Sequence, residues 1–136
     1  MKITRFNRKR DLIIVRAHVW SPRSYERLRL VVDTGSSDTV VTPDLVEQLG
    51  YSIRDGERVI TVRSSVGKEQ GWTLRVKRFS ALGFVVPNYR IHVFDLATGY
   101  DIDGLIGLSF LDQFNYEVRS TEGRLRVARA EAMGRG

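Results

Sequence analysis

The chain has 136 residues, of which 42% are hydrophobic, and this size and composition predict one globular domain over residues 1–136 with a modest core. It contains no cysteine, which excludes disulfides, thiol nucleophiles and thiolate metal sites, so its chemistry must use oxygen and nitrogen groups. The 22 basic and 16 acidic residues give a net charge of +6, which admits a nucleic-acid-binding domain as one interpretation.

The basic residues alternate with apolar ones along the chain, as in Arg27 and Arg29 or Arg75 and Lys77. This pattern is typical of solvated strand faces, and because a phosphate-binding patch needs clustered charge, we expect no nucleic-acid partner. The chain has no run of the ~18 apolar residues that a membrane span needs, and its start, MKITRFNRKRDLII, lacks the apolar core of a signal peptide. We therefore expect no membrane partner and a cytoplasmic location.

Alternation of apolar and polar residues with a period of two dominates the chain and predicts a mainly β protein with one or two short helices. The predicted strands are Leu12–Trp20, Arg27–Asp33, Val59–Arg63, Gly71–Phe79, Tyr89–Asp95, Asn115–Ser120 and Arg124–Arg129. Gly123 supplies the easy positive φ in the turn of the last hairpin.

Helix signals occur at two places. Thr42-Pro43-Asp44 predicts a helix start, with a capping hydroxyl, a proline in the first turn and a carboxylate that complements the dipole, and Gly50 predicts its end. A second short helix is predicted over Ser109–Phe114. The last residues, 131–136, are predicted to form a flexible tail.

Asp33 is placed at the end of an apolar strand, in the segment Val31-Val32-Asp33-Thr34-Gly35-Ser36-Ser37. A charged carboxylate there needs compensating donors, and the hydroxyls and backbone N–H groups of the following turn can supply them. Taken alone, an Asp-Thr-Gly tripeptide is also a common turn, so its context decides its meaning.

The stretch from Leu30 to Thr42, LVVDTGSSDTVVT, resembles the catalytic loop of the retropepsins and their cellular single-domain relatives. The family's second motif, two apolar residues and a glycine before a short helix, is matched by Leu105, Ile106 and Gly107. Between the two motifs the family has a β-hairpin flap, and Val59–Val76 lies in the corresponding place. The flap residues implied to touch substrate are Ser65, Val66, Gly67 and Lys68, with Gly67 near the tip.

This resemblance covers most of the chain and implies an all-β acid protease barrel, one domain per chain, active as a twofold homodimer. The chain has one Asp-Thr-Gly motif, so a monomer holds half a site. The implied activity is that of an aspartic endopeptidase in which the Asp33 carboxylates of two subunits share a proton and activate a water, with no metal or cofactor and with a peptide or protein as substrate.

The resemblance also implies roles for the residues around Asp33. Thr34 would brace the opposite loop of the dimer, Gly35 would let the backbone approach the carboxylates, and Ser36 could donate a hydrogen bond to the outer oxygen of Asp33. The N-terminal segment Lys2–Phe6 and the strand Arg124–Arg129 would interleave between subunits.

Two positions depart from the viral pattern. Viral enzymes commonly carry an Asp two residues after the motif's glycine and an Arg just after the second motif's glycine, and these form an ion bridge. Here the two positions are Ser37 and Leu108. Since both partners are missing together, we interpret this as one replacement of the polar brace by another feature, which affects the likeness to the viral dimer geometry and leaves the role of Asp33 unchanged.

Other chemically capable residues have structural interpretations that we favour. His18 and His92 are far apart and show no metal-ligand spacing, Asp101 and Asp103 are expected to shape the turn before the second motif, and Trp72 is a modest subsite candidate. Two alternative functions remain: a catalytically inactive retropepsin-like dimeric module that binds peptides or proteins, and a basic β-domain whose nucleic-acid binding would be insensitive to Asp33→Asn.

Overall fold

The computed structural model describes residues 1–64, 67–96 and 101–130, without the side chains of residues 62–64 and 67–69. The strands in this part of the chain are β1 Lys2–Arg5, β2 Ile14–Trp20, β3 Tyr25–Val32, β4 Val40–Val41, β5 Arg58–Ser64, β6 Gly67–Ala81, β7 Phe84–Val93, β8 Gly104–Ile106, β9 Phe114–Arg119 and β10 Arg124–Arg129. The α-helices are α1 Pro43–Gln48 and α2 Leu108–Leu111, and two short 3-10 helices span Ile53–Asp55 and Ser120–Glu122. None of the helices in these ranges is long and apolar enough to cross a membrane.

The strands close into a barrel. Their order is β2-β3-β8-β4-β7-β6, and β6 also pairs with β2, which completes the ring. The predicted period of two is the basis of this closure, because each strand turns one row of side chains inward. In β2 the inward row is Val15, Ala17 and Val19, each at most 2% exposed.

Strands β6 and β7 are longer than the sequence predicted and form one hairpin. Leu82 and Gly83 connect them with φ values of 56° and 87°, as in the turns that match the twist of paired strands. Asn88 has a φ of 49° and follows Pro87, and the inward side chains on its two sides, Val86 and Tyr89, are three residues apart. The alternation of inward and outward side chains is therefore interrupted at this point of the sequence. For this reason the sequence did not predict the first half of β7.

A separate three-stranded sheet, in the order β1-β10-β9, packs on the barrel. Leu125 and Val127 of β10 are buried in the common core, and the ring of Phe114 stacks on Phe84 with centroids 4.7 Å apart. In the single chain β1 pairs antiparallel with β10, Lys2 opposite Val127. The strands that the resemblance expected to interleave between subunits are thus paired within one chain, because the turn at Gly123 and the segment after β1 bring them side by side, with the N–H of Phe6 donating to the carbonyl of Gly123 at 2.9 Å.

The first helix agrees with the prediction, with Pro43 in its first turn and Gly50 beyond its end at a φ of 89°. The hydroxyl of Thr42, however, makes no capping hydrogen bond. The second helix is shorter than predicted, since Phe114 belongs to β9 rather than to the helix. Phe114 is buried against Phe84 and Phe110, and this packing outweighs the local preference of the sequence for a helix that continues to Phe114.

The predicted flap is present as the antiparallel hairpin β5–β6, with Arg58 opposite Thr73 and Ser64 opposite Gly67. Gly67 opens β6 opposite Ser64, the last residue of β5, so it lies near the tip of the hairpin. Ser65 and Val66 lie outside the described residues, as does the side chain of Lys68. The predicted tail, 131–136, also lies outside them.

Candidate active site

Asp33 follows directly on β3 and is half-buried at the end of the barrel strand. Its N–H donates to the carbonyl of Ile106 at 2.9 Å, which ties it to the second motif. Its carboxylate oxygen Oδ1 accepts the N–H of Gly35 at 2.9 Å. The strand thus fixes the backbone of Asp33, and the turn supplies a donor for the charge.

Gly35 allows this close approach. A Cβ at this position would lie 3.1 Å from Oδ1 of Asp33, tighter than ordinary contacts, so a larger residue would push against the carboxylate. Thr34, Gly35 and Ser37 are all exposed. The loop therefore presents the half-buried carboxylate on an open surface of the single chain.

The resemblance implies that the hydroxyl of Ser36 donates to the Asp33 carboxylate, but in the single chain it does not. It donates to the carbonyl of Asp38 at 2.8 Å, while the N–H of Ser36 donates to the carbonyl of Asp33 at 3.2 Å. The chain turns back after Gly35, so the nearest acceptor for this hydroxyl is the loop's own backbone. In the single chain Ser36 supports the shape of the loop rather than the charge of the carboxylate.

The second motif lies directly beneath this loop. Strand β8 runs parallel to β3 and antiparallel to β4, so Leu105 and Ile106 are held between the two ends of the Asp33 loop. Gly107 is buried, and a Cβ there would lie 2.2 Å from the carbonyl oxygen of Asp38. Only glycine admits this contact between the two motifs.

Backbone hydrogen bonds join the two segments that carry the positions of the missing ion bridge, Ser37 and Leu108. The N–H of Leu108 donates to the carbonyl of Ser36, and the N–H of Ser109 donates to the carbonyl of Ser37, each at 2.9 Å. These hydrogen bonds connect the start of α2 to the Asp33 loop without side-chain charges. A side-chain contact lies nearby, between His92 Nε2 and Asp38 Oδ1 at 3.4 Å.

A cluster of three hydroxyls, two of them on the buried residues Thr39 and Tyr89, braces the same loop and was not predicted from the sequence. The hydroxyl of Tyr89 lies 2.9 Å from that of Thr39 and 2.8 Å from that of Ser109, and Thr39 Oγ1 also accepts the N–H of Gly107 at 3.3 Å. Burial raises the pKa of Tyr89, so its hydroxyl stays protonated and can donate. No spacing in the sequence relates these residues, since β7, the loop and α2 meet only in the fold.

Removing the central hydroxyl should destabilise the protein measurably. In Tyr89→Phe the buried Thr39 hydroxyl loses a partner, and we expect the free energy of unfolding to fall by about 1–3 kcal/mol. Urea unfolding measures this change, with Tyr116→Phe, a half-buried tyrosine outside the cluster, as the matched control. Equal losses in both variants would contradict a bracing role for the cluster.

The remaining candidates from the sequence have structural partners. Asp103 accepts the backbone N–H of Arg29 through Oδ2 at 2.8 Å, and its own N–H donates to the carbonyl of Arg29, so it shapes the entry to the second motif as expected. His18 stacks with Tyr25 on the outer side of β2, away from Asp33. Trp72 is half-buried at the base of the flap, opposite Val59. Within the described ranges no group of His, Asp and Glu is placed to hold a metal.

Beside the loop lies an open groove of about 550 Å³. Asp38 and Ser109 border it on the loop side, and arginines from the flap strands and β7 border it opposite: Arg58, Arg75 and Arg90. Glu57 binds Arg75 and Arg90 at 3.1 and 3.0 Å. These arginines lower the pKa of Glu57, which keeps it ionised and holds the flap base to β7.

Comparison with known proteins agrees with this geometry. A family model described as aspartyl protease matches residues 24–110, more than half of the chain. The chain is similar to the solved structure of a retropepsin-like aspartic protease from Rickettsia conorii, with a TM-score of 0.66 and 21% identity over 93% of this chain and 96% of that one. It is also similar to the retroviral protease-like domain of Ddi1 from Leishmania major, with a TM-score of 0.56 and 17% identity over 88% and 90% of the two chains. No curated protein matches the sequence. The retropepsin-like barrel implied by the sequence is confirmed.

Proposed function

The chain belongs to the aspartyl protease family, and on this premise we propose that it is an aspartic endopeptidase whose active site combines the Asp33 carboxylates of two subunits in a homodimer. The observation that carries the proposal is the setting of Asp33. A carboxylate follows a core strand, is held by the N–H of Gly35, and lies in a loop whose Thr34, Gly35 and Ser37 are exposed. The proposed substrate is a peptide or protein, and the proposed location is the cytoplasm.

The need for two subunits follows from the number of carboxylates. The chain has one Asp-Thr-Gly motif, because Asp38 is followed by Thr-Val and Asp103 by Gly-Leu. Asp103 is engaged by the backbone of Arg29, which makes it unsuited to a second catalytic role. A twofold axis beside the exposed loop would bring a second Asp33 opposite the first. Since β1 and β10 pair within the chain, a second subunit can add strands beside β1 and β9, the outer strands of this sheet in the part of the chain that the structure describes.

The proposed chemistry depends on one shared proton. Two carboxylates a few Å apart do not both ionise readily, so one Asp33 is charged and the other protonated at working pH. The charged Asp33 takes a proton from the water that attacks the peptide carbonyl. The partner's Asp33, protonated, donates to the developing oxyanion, and a proton is later delivered to the leaving nitrogen.

The neighbouring residues are proposed to support this pair. Thr34 is exposed and free to reach the opposite loop, and Gly35 keeps the backbone close to the carboxylate. Ser36 holds the loop through the carbonyl of Asp38. The second motif, Leu105 to Gly107, holds it from below through the carbonyl of Ile106.

The flap hairpin is proposed to cover an extended substrate, which would gain strand-like hydrogen bonds from the flap backbone and pockets for alternate side chains. Trp72 and Val59 lie opposite each other at the flap base, and Val59 is 60% exposed. They are the apolar groups proposed for one such pocket. Ser65, Val66, Gly67 and Lys68 are also proposed to contact the substrate.

The test that separates a shared site from a complete site in each chain is subunit mixing. Wild-type and Asp33→Asn chains are mixed in equal amounts, and cleavage of casein is measured at fixed total concentration. If pairing is random and mixed dimers are inactive, the mixture retains about a quarter of the all-wild-type activity, whereas independent subunits would retain about a half. Dilution of the wild type provides the second measurement, because loss of dimer makes the rate fall faster than linearly.

Two outcomes would contradict the proposal. Retention of half the activity in the mixture, with a rate linear in concentration, would place a complete site in each chain. Absence of cleavage by a folded dimer, with peptide binding retained, would support the catalytically inactive binding module instead.

A further inference from the structure

The outer side of the β2–β3 hairpin brings together residues that the sequence separates. Side chains of β2 that point away from the core are Arg16, His18 and Trp20, and their cross-strand partners on β3 are Arg29, Arg27 and Tyr25. Because cross-strand partners lie on the same side of a sheet, these six residues form one surface, here called the arginine–aromatic face. Trp20 is also opposite Arg78 of β6, which extends the same side.

The positive charge of this face continues into a groove. An open cavity of about 440 Å³ lies between the face and the segment after β1, lined by Arg5, Arg10, Arg16 and Arg29 above an apolar base that includes Phe6 and Ile14. None of the described residues that line this cavity is acidic. Arginine forks suit phosphate oxygens, and several of them around one cavity make an anion site.

The acidic residues near the face do not cancel this charge. Asp101 contacts Arg29 at 2.8 Å, but its side chain is 95% exposed, so a phosphate can displace it at little cost. Asp103 binds the backbone N–H of Arg29 rather than its guanidinium. Glu26 is opposite Val19, a core residue, and so lies on the other side of the hairpin. Burial, and then the charges of Arg16 and Arg27, lower the pKa of His18.

Aromatic rings lie beside the arginines on the same face. The ring centroids of Trp20 and Tyr25 are 5.2 Å apart, and those of His18 and Tyr25 are 5.5 Å apart. The Tyr25 hydroxyl is hydrogen-bonded to Nδ1 of His18. Tyr25 is a large aromatic residue outside the core, and it is 44% exposed. Rings next to a basic groove are the arrangement by which proteins hold single strands, since bases stack on rings while arginines contact phosphates.

We propose that the arginine–aromatic face and its groove bind single-stranded nucleic acid, independently of the Asp33 loop. The expectation of no nucleic-acid partner rested on arginines scattered along the sequence, and the fold gathers those of two strands and of the segment after β1 on one side. An acidic peptide would engage the arginines but leave the rings unused. The combination of both groups therefore favours nucleic acid.

The first test measures binding of a fluorescent oligouridine of about 12 nucleotides, within the range that one binding fold covers. The full chain carries Asp33→Asn in every sample, so that binding is measured without self-cleavage. In Arg16→Gln/Arg29→Gln we expect binding to weaken at least about tenfold at low salt, and the slope of log affinity against log salt to fall by about 1.4, as loss of two phosphate contacts predicts. Arg54→Gln/Arg58→Gln, an equal charge change at exposed positions outside the face, is the control.

The second test addresses the rings. In a Trp72→Phe background Trp20 is the one remaining tryptophan, and stacking with a base should quench its fluorescence. Trp20→Leu should weaken oligouridine binding about tenfold, within the range that one stacked base contributes. Circular dichroism of each variant confirms that it is folded.

Four results would overturn the proposal. Equal losses in the two double variants would indicate attraction by net charge alone. Binding of poly-glutamate as tight as that of oligouridine, and unaffected by Trp20→Leu, would assign the face to acidic peptides. Preference for duplex over single strand, or absence of binding at low salt, would exclude a single-strand site.

Discussion

An Asp33→Asn chain is expected to lose peptide-bond cleavage by at least about a thousandfold, because the proposed water would have no base in either subunit. The amide keeps an oxygen that can accept the N–H of Gly35, which in the wild-type chain lies 2.9 Å from Oδ1 of Asp33. The loop should therefore keep its shape, and the loss should appear in kcat at unchanged folding. Casein cleavage from about pH 3 to 8 measures the rate, since the proposed shared proton should make activity fall on both sides of an optimum.

Two matched variants complete this experiment. Asp112→Asn makes the same chemical change at an exposed position after α2 and should leave the rate unchanged. Asp38→Asn tests the other carboxylate of the loop, which contacts His92. If Asp33→Asn kept its activity while Asp38→Asn lost it, the catalytic carboxylate would be Asp38. If a pepstatin-like transition-state mimic failed to inhibit the wild type, cleavage would come from another mechanism or a contaminating protease.

The sequence predicts the barrel well because the alternation of apolar residues is a local signal that reports directly which side of a strand is buried. Strand β10 was predicted at its observed bounds, and β2, β3 and β5 within two residues. The two motifs were also recognisable, and the structure brings them into contact through Asp33 and Ile106.

The contacts that depend on three-dimensional placement could not be read in this way. The hydroxyl of Ser36 selects the carbonyl of Asp38 because the loop turns back on itself, which a linear motif does not encode. Tyr89 reaches Thr39 and Ser109 only because β7 runs beside β4. The arginines of β2 and β3 look dispersed along the chain and become neighbours only when the hairpin pairs.

Gly104→Ala is expected to have the largest effect on stability of any single methyl addition to the site. Strand β8 lies between β3 and β4, and Gly104 is paired with Leu30 on one side and Val41 on the other. A Cβ at this position would lie 1.9 Å from the carbonyl oxygen of Val40 and 3.1 Å from Cδ2 of Leu30. Because the first of these is backbone within a sheet, the clash cannot be relieved by turning a side chain. We expect the free energy of unfolding to fall by at least about 4 kcal/mol.

Gly50→Ala separates this clash from the general cost of replacing glycine. A Cβ at Gly50 meets nothing within 4 Å, and its φ of 89° leaves only backbone strain, which should cost about 1–2 kcal/mol. Urea unfolding of both variants measures the difference, and equal midpoints would contradict the close approach of β4 to β8. Since β8 ends at Ile106, whose carbonyl holds the N–H of Asp33, any folded Gly104→Ala protein should also cleave more slowly than Gly50→Ala. A shift of β8 relative to β4 would move the carboxylate away from the proposed twofold axis, on which the proposed proton sharing depends.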